Sequence, residues 1–159
     1  MKNRKRFSII LVLAFITLIG VILFYTAQKP IGNAEEKAET RAIGEGHLQE
    51  ISRSYPVNGS EPSITVLGKN KDGKPAAVFV PDGTEGEMRS VLMKDGIGSR
   101  QALDAVRQDM DVRKVLHVHL GNDESGPFWE VAFTGPDDKL NYVHLNFGDG
   151  KVRKKILNL

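Results

Sequence analysis

The nineteen residues Phe7–Tyr25 (FSIILVLAFITLIGVILFY) carry no charge, and only Ser8, Thr17 and Gly20 interrupt the apolar run. A helix rising about 1.5 Å per residue carries such a run roughly 28 Å, close to the hydrocarbon thickness of a bilayer. Lys2, Arg4, Lys5 and Arg6 precede it, and only Lys29 lies just beyond. The positive-inside bias therefore predicts one transmembrane helix, a cytoplasmic basic tail at 1–6, and residues 26–159 on the outer side of the cell membrane. A cleaved secretory signal is the alternative. It fits less well, because signal cores run about 7–15 residues and cleavage after Ala27 would set bulky Tyr25 at the −3 position.

Charge follows the same division. Four of the 22 Lys and Arg precede the run and none of the 20 acids does, which leaves the remainder at net −2. That balance offers no electrostatic footprint for nucleic acid. The chain has no cysteine, which excludes disulfides, thiolate metal sites, a cysteine nucleophile and a lipidated cysteine. An exported domain without disulfides must be held by its core alone, which suits a bacterial surface.

Beyond a juxtamembrane linker at 26–32, Asn33 caps an expected helix over 34–43, with Glu35, Glu36 and Glu39 at its positive end. The stretch 47–55 is a weak strand. Ser63–Leu67 and Ala76–Val80 flank a polar Asp-Gly turn and read as a hairpin. Met88–Met93 adds a strand, and Ser99 caps a helix over 100–110 whose Leu103, Val106 and Met110 share a face. Three strands follow at 112–120, 128–133 and 141–147, with a basic strand at 151–157 last. Each of the three alternates, with Leu116, Val118 and Leu120, then Trp129, Val131 and Phe133, then Val143, Leu145 and Phe147 on one side. The pattern predicts an α+β protein. Two helix-on-antiparallel-sheet units stand in tandem, at 33–95 and 96–159, each with one wet sheet face.

Phe128-Trp129-Glu130-Val131 and the later run Tyr142–Val152, ending Asp149-Gly150-Lys151, resemble the PepSY pattern. Val78-Phe79-Val80-Pro81, Lys94-Asp95-Gly96-Ile97, Val118-His119-Leu120 and Trp129-Glu130-Val131 occur in the order seen in the TseB-like (YpmB-type) family of Bacillus and its relatives. The resemblance spans most of 33–157, with Asn146 where the pattern usually has Asp. It implies a single-pass protein with two cystatin-like or PepSY-like units outside the cell. The implied role is regulation of cell-wall elongation through an elongation transpeptidase of the penicillin-binding class. PepSY units in protease propeptides imply the alternative, an extracytoplasmic protease inhibitor or sensor. Neither role supplies catalytic residues.

The residues themselves point the same way. There is no G-x-S-x-G, Ser99 reads as a helix cap, and Gly44 and Gly46 form a G-x-G without the rest of a nucleotide fingerprint. No enzyme and no cofactor is expected. His117, His119, Glu130 and His144 fall on the wet side of the last sheet, where neutral imidazoles and a carboxylate are candidate zinc ligands. Polar residues on a wet face need no metal to explain them, so no metal is assigned. Phe128, on that same side, is the expected exposed interface residue.

Overall fold

The computed structural model describes residues 2–59, 62–81 and 86–159, with side chains described throughout except at 2–12, 22–23 and 25–32. The turns expected at 58–62 and 81–83 fall partly outside the described residues. Helix α1 runs unbroken over Lys2–Gly44, so Asn33 sits within a helix rather than at its start, and no separate linker divides it. Among the described residues, no helix is long and apolar enough to cross a membrane. This corrects the expected span Phe7–Tyr25 and, with it, the expected single-pass membrane localisation. Within that span, the side chains at 13–21 are exposed.

Two four-stranded antiparallel sheets follow. The first is β1 (Glu50–Val57), β2 (Ser63–Lys69), β3 (Pro75–Pro81) and β4 (Arg89–Leu92), in that order. A single 3-10 turn at Met93–Asp95 leads to α2, Ser99–Asp109. The second sheet is β5 (Lys114–Asp123), β6 (Gly126–Thr134), β7 (Leu140–Asn146) and β8 (Val152–Ile156), again in sequence order. The β2–β3 hairpin forms as its residues dictate. Asn70 Oδ1 accepts the N–H groups of Asp72 and Lys74, and Gly73 takes the left-handed φ of 71° that the turn needs. Helix α2 starts one residue earlier than its sequence suggests. The Gly98 N–H donates to Gln101 Oε1 at 2.8 Å, so a side chain three residues on caps the helix in place of Ser99.

The two sheets are not separate units in tandem, and that expectation is corrected. Ala38 and Ala42 of α1 pack on Ile64, Val66, Val78 and Val80, covering one face of the first sheet. The opposite face contributes Ala77 and Phe79 to the core built from Ala102 and Val106 of α2 with Leu120, Trp129, Val131, Val143 and Leu145. One apolar core therefore belongs to both sheets. The physical reason is that the first sheet is apolar on both sides: β3 reads PAAVFVP, with Ala76 through Val80 all buried, and α1 can cover only one of them.

Candidate functional site at the seam between the sheets

The second sheet divides its residues by alternation. Val118, Leu120, Trp129, Val131, Val143 and Leu145 face the shared core. Leu116 does not join them; it is 47% exposed, because the register slips between Val115 and His117 and leaves it in a bulge. Beyond the bulge the other face is set by strand register: His119 lies opposite Glu130, Glu130 opposite His144, and His144 opposite Lys154.

That arrangement makes Glu130 a hub. Its Oε1 lies 2.9 Å from His117 Nε2 and its Oε2 lies 2.9 Å from His144 Nε2. Burial pushes the Glu130 carboxyl up, but the hydrogen bonds to His144 and His117 outweigh it and leave its pKa below the ordinary value. The four residues singled out in the sequence as possible zinc ligands are thus brought together. They are engaged with one another rather than turned toward a common centre, and no group of three or more His, Cys, Asp or Glu among the described residues could hold a metal ion.

The face expected to be wet is largely covered. The Tyr55 ring, from β1, stacks on His119 at 4.0 Å between centroids, and His119 stacks on His117 at 4.3 Å. His119 is held neutral far into the acid range, with its pKa lowered to about 4 by burial first, then by the neighbouring His117 and Arg53. Phe128 is 2% exposed, packed against Tyr55 and Val57, stacked on His144 at 4.7 Å and overlain by the Arg153 guanidinium. The expected exposed interface residue is therefore a buried one, because β1 crosses the sheet face that its alternation leaves polar. Arg153 is fixed in turn by Asp123, at 3.1 Å.

Beneath these rings the first sheet holds the backbone of β5. The Leu120 N–H donates to the Tyr55 hydroxyl at 2.9 Å, and the Thr65 hydroxyl donates to the Leu120 carbonyl at 2.7 Å, both buried. Burial raises the Tyr55 pKa, and the bond from the Leu120 amide offsets only part of that rise. Tyr55, Thr65 and Arg153 were not singled out from the sequence. Their partners lie 65, 55 and 30 residues away, and no local pattern encodes such pairings. Chemically, the seam offers no hydroxyl or other nucleophile paired with its imidazoles among the described residues. It is a clamp.

The family model described as "Cell wall elongation regulator TseB-like domain" matches residues 37–81. The chain is 24% identical over 157 residues to a Bacillus subtilis (strain 168) protein described as "Probable cell wall elongation regulator TseB", with 98% of each chain covered. A solved structure, "YpmB protein from Bacillus subtilis", superimposes with a TM-score of 0.68 at 26% identity, covering 76% of this chain and 94% of that one. The three matches support the TseB-like family. The segment that the TseB-like model matches begins in the last turns of α1 and ends with β3. It carries Tyr55 and Thr65, the first sheet's share of the clamp, whereas Glu130 and its histidines lie beyond it.

Proposed function

We propose that this chain regulates cell-wall elongation by binding a wall-synthesis protein of the penicillin-binding class, and that it does so without catalysing a reaction. The observation that carries the reading is the end-to-end similarity, 98% of both chains, to a protein described as a probable cell wall elongation regulator. The seam supports the non-catalytic part. His117 and His144 place their Nε2 atoms on Glu130, and His119 and His144 lay their ring faces on Tyr55 and Phe128, an arrangement that suits a packed scaffold. The test is crosslinking in intact cells of the host, with the full chain as bait. Recovery of a penicillin-binding protein in crosslinked adducts is expected; its absence, with the bait expressed and crosslinked to anything else, contradicts the reading.

A further inference from the structure

Asparagine is a thermolabile side chain, and the asparagines of this chain stand in unequal surroundings. Asn58 alone in the sequence is followed by glycine. It comes directly after β1, and both Asn58 and Gly59 are exposed. The pairing of β1 with β2 stops at Val57 and Ser63, so the ladder ends before it could fix either residue. Among the described residues, neither the Asn58 side chain nor the Gly59 N–H makes a hydrogen bond.

Two asparagines elsewhere show the contrast. Asn70, in the β2–β3 turn, has its Oδ1 occupied by the N–H groups of Asp72 and Lys74. Asn141 is buried, its Nδ2 donating to the Lys139 carbonyl at 2.9 Å and its Oδ1 accepting from the Asn158 N–H at 3.0 Å. Each is followed by a residue whose side chain shields the next amide nitrogen, Lys71 and Tyr142. Gly59 has no Cβ to do this, and its backbone freedom lets its nitrogen reach Asn58 Cγ.

Those neighbours dictate a reaction. The Gly59 amide nitrogen gives up its proton and attacks Asn58 Cγ. A C–N bond forms, the Cγ–Nδ2 bond breaks, and the side-chain amide leaves as ammonia, carrying the proton and leaving a cyclic succinimide. Water then opens the ring. Attack at Cγ yields aspartate; attack at the main-chain carbonyl yields isoaspartate, whose main chain runs through Cγ and is longer by a carbon. The sequence of steps consumes water, releases ammonia and oxidises nothing.

The lengthened link adjoins the clamp. Val57 is buried and packs with Tyr55 against Phe128, and it is one of the two side chains that leave no room for a Cβ at Gly121. We infer that Asn58 is a site of spontaneous deamidation in the folded chain, and that its isoaspartyl form loosens Val57 from Phe128 and frays the end of the β1–β2 hairpin. The seam then weakens as the chain ages. The inference is independent of which partner the chain binds.

The experiment incubates the full chain, in mild detergent, beside a synthetic peptide of residues 54–69 in the same mildly alkaline buffer. Trypsin, cutting after Arg53 and Lys69, releases that segment from the chain, and Asn58 is its sole amide side chain. The segment is expected to gain the mass of an amide-to-acid exchange at a rate comparable to that of the free peptide, and to separate into aspartyl and isoaspartyl forms. The segment bearing Asn141 is expected to stay unchanged. The aged chain is expected to melt about 2–4 °C lower than the fresh one, with faster hydrogen exchange over residues 54–57. Asn58→Gln, incubated alike, is expected to keep its melting temperature, and freshly prepared Asn58→Asp, which carries the charge without the added carbon, to melt like the fresh parent. A segment that stays intact in the folded chain while the peptide converts overturns the site. Conversion with an unchanged melting temperature, or an equal fall in fresh Asn58→Asp, overturns the effect assigned to the lengthened link.

Discussion

The Leu120 N–H donates to the Tyr55 hydroxyl at 2.9 Å, joining backbone and side chain 65 residues apart in the sequence. Thr65 closes the carbonyl of the same residue from the neighbouring strand. Tyr55 and Thr65 are cross-strand partners, so one register error between β1 and β2 would lose both bonds at once.

Removing either hydroxyl leaves a buried backbone group without a partner, the costly form of a lost hydrogen bond. Tyr55→Phe and Thr65→Val are each expected to destabilise the chain by about 1–3 kcal/mol. The double variant is expected to depart from additivity, because both hydroxyls hold one residue. Denaturant unfolding followed by the fluorescence of Trp129, the sole tryptophan, measures all three. Losses within the error of the measurement would show that the seam contributes nothing to stability.

Gly121 is the point of closest approach. A Cβ there would lie 2.8 Å from Phe128 Cζ and 2.8 Å from Val57 Cγ1, both on buried side chains with little freedom to yield. Gly121→Ala is expected to cost about 1–3 kcal/mol by overpacking. Adding Val57→Ala returns part of the space, so the pair is expected to lose less than the sum of its members. A loss equal to or greater than that sum would place the strain elsewhere.

Acid is expected to weaken the fold in two steps. His119 has a folded pKa of about 4 against 6.5 ordinarily, so below about pH 6.5 the unfolded chain takes up the proton first and stability falls toward pH 4. Glu130, with its pKa depressed by its histidine bonds, contributes stability that is present above the ordinary carboxylate range and is lost as pH falls through the folded value. His119→Phe keeps a ring between Tyr55 and His117 and removes the first titration. Its stability is expected to vary less between pH 6.5 and 4 than that of the parent chain. Parallel pH profiles would contradict this.

Zinc is expected to leave the melting temperature unchanged. A metal that binds only the folded chain must raise it, but the Nε2 atoms of His117 and His144 are already turned to Glu130. A concentration-dependent rise with zinc, lost in Glu130→Gln, would overturn the reading of the hub as a clamp.

The second sheet was readable because each strand has one apolar face. The alternation of Trp129, Val131 and Phe133, and of Val143 and Leu145, is a local signal that the structure obeys. It also placed His119, Glu130 and His144 together on the opposite face. The burial of that face was not readable, since nothing near Phe128 reports that Tyr55 and Val57 will lie across it. Leu116 was misplaced for a smaller reason: a one-residue bulge inverts the alternation it interrupts. The apolar run in α1 led to a membrane span through length and composition, properties of the residues rather than of the fold. The division into two tandem units failed on β3, where apolar residues on both faces tie the sheets into one core.

On the proposed reading, this chain acts by holding a wall-synthesis protein and not by chemistry of its own. Titration of a purified elongation transpeptidase of the penicillin-binding class with the full chain tests it most directly, with binding and transpeptidation followed together. The account predicts saturable binding, a transpeptidation rate that changes in proportion to occupancy, and intact wall substrate when the chain is incubated with it alone. An unchanged rate and no binding at saturating chain, or turnover of the substrate by the chain alone, would contradict it.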